Sequence, residues 1–209
     1  MPDLLRSLTP TVQLAAGVTW FKDRVDTRAL LPLIDACAAV SPFRHLKTRQ
    51  GVMSVALTNA GHWGWHSDEA GYRYESTDPL TGKPWPSIPE PFLTLAAAAA
   101  AEAGFGVFEP DCCLINRYDV GAKMGAHRDY DERDYRWPIV SVSIGLPAEF
   151  VWYGDHKTNP PHVAQVHDGD VVVFGGPARK GYHAVRTVKS PKSPTAFSCR
   201  INLTFRKAR

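Results

Sequence analysis

Hydrophobic and polar residues alternate in short runs along the second half of the chain. In Ile139–Gly145, for example, valine and isoleucine alternate with serine, which is the period-two pattern of a strand with one buried face. The strands predicted in this way are Cys113–Tyr118, Ile139–Gly145, Phe150–Trp152, Gln165–His167, Val171–Phe174, His183–Val185 and Cys199–Phe205. Many short strands separated by turn residues predict a jelly roll, or double-stranded β-helix, over residues 110–209.

Two segments before residue 110 have helical patterns. Asp26–Val40 begins with a suitable N-cap and has apolar residues three and four apart, although Pro32 marks either the true first turn or a kink. Leu93–Ala103 is rich in alanine, and Ser87 and Glu90 before it have the spacing of a capping box. The expected fold class is therefore mostly β with flanking α, including an N-terminal helical buttress for the sheet.

Residues 61–91 follow neither pattern but are rich in aromatic rings, which are Trp63, Trp65, Tyr72, Tyr74 and Trp85. A disordered linker would avoid so many rings, so we expect an ordered loop that covers part of the domain. Composition leaves two interpretations open, because aromatic loops both pack as lids and stack on nucleobases.

The length of 209 residues suits one domain with a lid. No apolar run approaches the roughly 20 residues that a membrane span needs. Residues 1–10 lack the charged start and apolar block of a secretion signal. The four cysteines have no Cys-x-x-Cys spacing and are expected to be buried thiols in a reducing compartment. We therefore expect a cytoplasmic protein, and a monomer, since nothing in the sequence indicates an obligate dimer.

The net charge of +3 conceals an uneven distribution. Residues 171–209 hold nine Lys or Arg and no acidic residue, whereas all 21 acidic residues lie in 1–170. A concentrated positive segment suggests a polyanionic partner, of which nucleic acid is the usual candidate. The alternative is that some of these cations bind a small ligand and the others only solvate loops.

His127, Asp129 and His183 have the composition of a mononuclear iron site. Residues two apart in a strand project to the same side, so His127 and Asp129 can reach one metal, and His183 on a distant strand can complete the set. Two imidazoles and one carboxylate with open positions form the ligand set of non-heme Fe(II) oxygenases. Some His-x-Asp pair is expected by chance in a chain with 8 His and 21 Asp or Glu, so the spacing alone is a weak signal.

A second polar set lies on the last predicted strand, where Arg200, Asn202 and Arg206 share one face. Asn116 and Tyr118 form a similar pair on an earlier strand. Guanidinium groups bind small dicarboxylates through charge-assisted hydrogen bonds, so this face suits an organic acid. The alternative is a terminal strand whose arginines lie in water.

Taken together, these motifs resemble the AlkB family of iron- and 2-oxoglutarate-dependent nucleic-acid dealkylases, and especially its bacterial members. The motifs, in chain order, are Asn116-x-Tyr118, His127-x-Asp129-x-Asp131, Tyr182-His183 and Arg200-x-Asn202-x-x-x-Arg206. The resemblance covers most of the chain from about residue 40 onward. It implies a single dioxygenase domain over 1–209, with 50–91 as a nucleotide-recognition lid and 110–209 as the jelly-roll core.

The resemblance also implies roles for individual residues. It assigns Fe(II) to His127, Asp129 and His183, 2-oxoglutarate to Asn116, Tyr118, Arg200, Asn202 and Arg206, and the substrate nucleotide to Trp65, Tyr72, Tyr74 and Asp131. Asp131 is expected to favour the positive charge of a methylated base. Lys157 is the nearest match to a family arginine, and lysine keeps the charge but loses the planar fork.

The activity implied by the resemblance is oxidative demethylation of bases such as 1-methyladenine and 3-methylcytosine. The expected substrate is single-stranded DNA, with RNA as the alternative. Fe(II) and O₂ would act with 2-oxoglutarate, and formaldehyde, succinate and CO₂ would be released. Two alternatives stay open from the sequence. One is hydroxylation of a protein or small molecule at the same iron site, and the other is a non-enzymatic, metal-stabilised nucleic-acid-binding module.

Overall fold

The computed structural model describes residues 9–48 and 51–209. The helices and strands of these residues are, in chain order, β1 Thr11–Ala15, β2 Val18–Phe21, α1 Leu31–Val40, β3 Arg44–Thr48, β4 Gly51–Gly61, β5 Gly64–Asp68, β6 Gly71–Glu75, α2 Glu90–Glu102, β7 Cys112–Tyr118, β8 Met124–His127, β9 Ile139–Gly145, β10 Ala148–Gly154, β11 His162–Val166, β12 Val171–Phe174, β13 Tyr182–Val185 and β14 Arg200–Arg206. Short 3-10 turns occupy Thr27–Ala29 and Gly176–Ala178.

The strands form two facing sheets and one separate hairpin. The large sheet has the order β1-β2-β12-β9-β14-β7-β4-β3, and the small sheet has the order β11-β10-β13-β8. Strands β5 and β6 pair only with each other. Neighbouring strands of both sheets are antiparallel, as in a jelly roll, and the predicted fold class is confirmed.

The large sheet separates two apolar cores. On its outer face, β9 and β14 side chains such as Val142 and Phe205 pack against Ile34 of α1 and Leu95 of α2. On its inner face, residues such as Ile139 and Phe174 meet Phe150 and Trp152 of the small sheet. The helices therefore buttress the sheet from outside, and the space between the sheets is left for the polar residues described below.

Helix α1 begins at Leu31, five residues after the predicted start at Asp26, and Pro32 lies in its first turn. The Asp26 side chain accepts a hydrogen bond from the Arg28 backbone and caps the 3-10 turn that precedes α1. The expected cap at Ser87 is wrong, because α2 starts at Glu90 behind Pro89 and has no side-chain cap. In a helix that started directly after Ser87, the Pro91 ring would meet the carbonyl four residues earlier.

The segment 50–91, expected as a lid, contains a strand of the large sheet and a hairpin. Residue 50 lies outside the described residues, and Gly51–Gly61 forms β4, which lies between β3 and β7 in the large sheet. Six consecutive residues of β4, 55–60, are buried, so the strand has no alternating pattern to detect. Trp65 and Tyr72 of the hairpin line the cavity described below, as do Met53 and Leu57 of β4.

The sequence predicts buried cysteine thiols and no membrane span. Cys37, Cys112 and Cys113 are buried free thiols, and Cys199 is partly exposed. No helix among residues 9–48 and 51–209 is both long and apolar enough to cross a bilayer.

Candidate active site

The two predicted histidine ligands lie on adjacent strands of the small sheet. His127 ends β8 and pairs directly with His183 of β13, and their ring centroids are 4.3 Å apart. Asp129 lies two residues after His127, beyond the end of the strand. Candidate ligand atoms of the three residues all lie within 4.8 Å of one another. The structure therefore brings the predicted triad together, although Asp129 reaches it from a loop.

Backbone carbonyls orient both imidazole rings. The Nδ1 atom of His127 lies 2.9 Å from the Gly125 carbonyl, and Nδ1 of His183 lies 3.1 Å from the Gly181 carbonyl. Because a carbonyl only accepts, Nδ1 of each ring carries the proton and Nε2 presents its lone pair. Each Nε2 lies 3.7 Å from an oxygen of Asp129. This is the arrangement by which outer hydrogen bonds prepare histidines for a metal.

Charge and burial keep His183 and Asp129 in their metal-binding protonation states. His183 is enclosed by Phe150, Trp152 and Phe174, with the Trp152 ring stacked on it at 14°. Burial, followed by the nearby His127, lowers the pKa of His183 to about 4, so its imidazole is neutral at neutral pH. Burial alone would raise the pKa of Asp129, but Arg206 and the two histidines hold it well below its usual value.

A buried network of charges lies directly behind Asp129. Arg206 donates from Nη2 to Asp129 Oδ2 at 2.9 Å and from Nη1 to the Tyr74 hydroxyl at 3.2 Å. Tyr74 in turn donates to Glu132 at 2.6 Å, and Glu132 pairs with Arg179 at 3.0 Å. Two carboxylates and two guanidinium groups thus balance in charge, which is the condition for burying ions without a large desolvation cost.

The residues expected to bind 2-oxoglutarate lie on β7 and β14, which are neighbours in the large sheet. Asn202 pairs in register with Asn116, and Arg200 with Tyr118. The Arg200 side chain is 2% exposed and donates to Ser143 at 3.0 Å. Its Nε and Nη1 atoms, which are also buried, have no hydrogen-bond partner among the described residues.

A buried guanidinium with two unused donors is costly unless an anion pairs with it. Burial lowers the pKa of Arg200, as expected for a cation that lacks a counter-charge. The Tyr118 ring lies 5.0 Å from the guanidinium carbon, and the Asn116 Oδ1 atom is also buried without a partner. The two unpaired Arg200 donors fit the distal carboxylate of a dicarboxylic acid, which accepts hydrogen bonds, so this part of the site fits 2-oxoglutarate.

The hairpin brings two of its predicted rings to the site. Trp65 of β5 stacks on Tyr72 of β6, with ring centroids 5.5 Å apart and 24° between the planes. Both backbone polar groups of Trp65 bond to the Asn59 side chain, which fixes the start of the hairpin to β4. The Trp65 indole donates to Asp131 Oδ2 at 3.0 Å. An indole and a carboxylate two residues from Asp129, a predicted iron ligand, are therefore held together.

Tyr74 and Lys157 occupy different positions with respect to the site. Tyr74 is buried behind the cavity in the network with Glu132 and Arg206, and its side chain does not line the cavity. Lys157 does line it, and its ammonium lies 5.1 Å from the ring centroid of Tyr182. The structure thus places Tyr74 where it supports other site residues, and Lys157 at the rim.

A single cavity of about 980 Å³ contains the triad, the Arg200 face and the aromatic hairpin. Its acidic lining residues are Asp129 and Asp131, whereas its basic ones are Lys123, Arg128, Lys157, Lys180, Arg200 and Arg206. The sequence did not single out Arg128, Lys180, Glu132 or Arg179. The buried ion pairs join residues that are distant in sequence, so no local pattern predicts them. The one signal in the sequence was the cluster of acidic residues around Asp131.

Comparison with known proteins defines the class first. A family model described as the 2OG-Fe(II) oxygenase superfamily matches residues 17–206. Fold and site agree with it, so the protein is a dioxygenase that uses Fe(II), 2-oxoglutarate and O₂.

Similarity to individual proteins narrows the class. The chain is 45% identical over 212 residues to the alpha-ketoglutarate-dependent dioxygenase AlkB of Escherichia coli, covering 100% of this chain and 98% of that protein. It is 47% identical to the AlkB of Salmonella typhimurium, over 87% of this chain and 84% of that one. The solved structure of OsALKBH1 superposes with a TM-score of 0.82 at 26% identity, covering 95% of this chain and 100% of that one. The chain belongs to the AlkB family, close to its bacterial members.

Proposed function

We propose that this dioxygenase removes N-linked methyl groups from damaged nucleobases in DNA, and also in RNA. The observation that carries this proposal is the bonded pair of Trp65 and Asp131, which lines the same cavity as the iron triad. An indole offers a face for stacking on a base, and a carboxylate offers both a hydrogen-bond acceptor and a negative charge.

The protein would hold its reactants in fixed positions around the triad. His127, Asp129 and His183 would hold Fe(II), which would supply oxidation of the N-methyl group by O₂ with 2-oxoglutarate as co-substrate, giving succinate, CO₂ and formaldehyde. Arg200 would anchor the distal carboxylate of 2-oxoglutarate. Arg206 holds Asp129 in place through the hydrogen bond at 2.9 Å. The rings of Phe150, Trp152 and Phe174 exclude water from one side of His183.

The preferred substrates would be bases methylated on the pairing edge, such as 1-methyladenine and 3-methylcytosine. These bases are cationic and unable to pair normally, so they leave the stack at lower cost than intact bases. The Asp131 carboxylate would favour their positive charge, and the Trp65 indole that bonds to it would stack on them. The lower cost of leaving the stack and the charge of Asp131 would both favour a damaged base over a normal one.

A single strand is the proposed form of the nucleic acid. Lys123, Arg128, Lys157 and Lys180 line the cavity and would contact phosphates, and a single strand presents an unpaired base without prior unwinding. We further propose a monomer, because the site draws all of its residues from one chain. Four free cysteines support a reducing, cytoplasmic location.

The test is an aerobic assay on single-stranded oligonucleotides that carry 1-methyladenine or 3-methylcytosine. Formaldehyde and succinate should form in equal amounts and only when 2-oxoglutarate is present, and the unmethylated strand should give no formaldehyde. The variant His127→Ala should be inactive, whereas His162→Ala, an exposed histidine on β11, should match the parent protein. Absence of formaldehyde from every methylated strand would refute nucleic-acid demethylation.

A further inference from the structure

The backbone of the loop that follows β8 is hydrogen-bonded at residues 129, 130, 131 and 133, in three of these four cases to residues outside the loop. Its backbone hydrogen bonds run from Arg179 Nη1 to Asp129 O at 2.7 Å, from the Tyr135 hydroxyl to Tyr130 O at 2.6 Å, from Arg209 Nη1 to Asp131 O at 3.2 Å and from Arg133 N to Ala208 O at 3.2 Å. A backbone held in this way presents its side chains in nearly fixed positions before any ligand binds, which lowers the entropic cost of binding.

Tyr130 is the side chain of this loop that faces solvent while lining the cavity. It is 59% exposed, and among the Phe, Trp and Tyr side chains of residues 9–48 and 51–209 the only other one exposed by more than half is Tyr72, at 53%. Tyr72 also lines the cavity, but it already stacks on Trp65. The structure therefore offers one exposed ring on the hairpin and a second one on the core, beside the iron ligand Asp129.

We propose that Tyr130 is the binding site for the base next to the damaged base in the same strand. This inference rests on the proposed function, and it adds a second nucleotide to the recognised substrate. Every nucleobase has a face that stacks on an aromatic ring, so such a site would tolerate any sequence. The cavity of about 980 Å³ lies near the top of the range for small-molecule sites, roughly 300–1,000 Å³, and has room beyond one base and 2-oxoglutarate.

A cation is positioned near this second site to receive the linking phosphate. The Lys180 ammonium lies 3.9 Å from the ring centroid of Tyr135, and the hydroxyl of that same ring donates to the Tyr130 carbonyl. Both Tyr135 and Lys180 line the cavity. One ring thus joins the stacking residue to the cation, and an aromatic ring beside a cation is the usual combination in single-strand grooves.

The test compares trinucleotides that share a central 1-methyladenine. One has thymine on both sides, two have an abasic site on the 5′ or the 3′ side, and the last has abasic sites on both. Dissociation constants are measured anaerobically by fluorescence anisotropy with the protein loaded with Fe(II) and 2-oxoglutarate, and kcat/KM is measured in air. The variants are Tyr130→Ala, Tyr130→Phe and, as a matched control outside the cavity, Tyr153→Ala.

The parent protein should bind the intact trinucleotide about five-fold to one-hundred-fold more tightly than one of the two trinucleotides with a single abasic site, namely the one that lacks the base stacked on Tyr130. Tyr130→Ala should abolish this preference, whereas Tyr130→Phe and Tyr153→Ala should keep it. Equal binding of all four substrates by the parent protein would overturn the inference, and so would a preference that survives in Tyr130→Ala. Failure of the proposed function would appear separately, as binding without formaldehyde release from any of the four.

Discussion

Replacing Arg200 by methionine should change stability and co-substrate binding in opposite directions. The guanidinium is buried, makes one hydrogen bond to Ser143 and has two donors without partners among the described residues. In the absence of 2-oxoglutarate this is a buried charge with no counter-ion. Methionine has a similar length and no polar atoms, so Arg200→Met should stabilise the ligand-free protein by about 1–3 kcal/mol. For a chain of this size, each kcal/mol corresponds to roughly 2–4 °C in Tm.

The same substitution should remove most of the affinity for 2-oxoglutarate. Loss of one partner of a buried charge pair costs about 2–5 kcal/mol, which is roughly a 30-fold to 5,000-fold rise in Kd. In the parent protein, 2-oxoglutarate at 100 times its Kd should add about 2.7 kcal/mol of stability. At that concentration 2-oxoglutarate should stabilise Arg200→Met by about 0.9 kcal/mol or less, so its thermal shift should be at most about a third of the parent shift.

Differential scanning fluorimetry with and without 2-oxoglutarate measures both effects, and anaerobic calorimetry gives the Kd. The matched control is Arg117→Met, on the neighbouring strand β7, whose side chain is 45% exposed and pairs with the exposed Asp119. It should leave both the Tm and the ligand-induced shift close to the parent values. A lower Tm for ligand-free Arg200→Met, together with an intact shift on adding 2-oxoglutarate, would refute the assignment of Arg200 as the co-substrate anchor.

Three further predictions concern other parts of the molecule. A methyl group added at Gly181 would lie 2.3 Å from the Trp152 ring, so Gly181→Ala should displace the ring from His183 and weaken iron binding by about ten-fold or more in a metal titration. The control is Gly125→Ala, whose methyl group meets nothing within 4 Å and which should lose less iron affinity. Equal losses of affinity in the two variants would contradict this prediction. Burial would raise the pKa of Asp78, but hydrogen bonds from Arg44 and Ser41 lower it to about 2. The ionised Asp78 carboxylate therefore stabilises the folded protein at pH values above its unfolded pKa of about 4, and this stabilisation is lost as the pH falls to about 2. Urea unfolding should show Asp78→Asn to be about 3–5 kcal/mol less stable at pH 7, and a parent protein no more acid-sensitive than the variant would contradict the pairing. The affinity for single-stranded DNA should be measured at several salt concentrations. Lys157→Met should reduce the steepness of log affinity against log salt concentration by about 0.7, whereas Lys157→Arg should preserve it. An unchanged slope in both variants would exclude a phosphate contact.

The strands that sequence patterns predicted either alternate or are short apolar runs bounded by turn residues. Ile139–Gly145 alternates, whereas Val171–Phe174 is buried on both faces but lies between the turn residues 167–170 and 175–177, and both have the predicted bounds. Strand β4 was missed, because its six consecutive buried residues include Thr58 and Asn59 and so form neither an alternating pattern nor an apolar run. The hairpin of β5 and β6 was read only as an ordered aromatic loop, because its rings serve the cavity and follow no apolar period.

The chemistry of the site was more predictable than its support. His127 and Asp129 form a local motif, and Arg200, Asn202 and Arg206 alternate along one strand, so local spacing indicated these residues, whereas His183 meets the motif only through strand pairing. Glu132 and Arg179 pair across the fold, and no local pattern distinguishes a buried charge from a solvated one. The same reason applies to Tyr130, whose importance depends on the cavity beside it.

We infer that His127, Asp129 and His183 hold one ferrous ion next to Arg200, the anchor for 2-oxoglutarate. The most direct measurement is an anaerobic equilibrium titration with Fe(II), with metal content determined after removal of unbound ion, in the presence and absence of 2-oxoglutarate. The parent protein should bind one equivalent, more tightly with 2-oxoglutarate than without it, and His127→Ala, Asp129→Ala and His183→Ala should each lose this site while His162→Ala retains it. One tightly bound equivalent in all three triad variants would contradict the account.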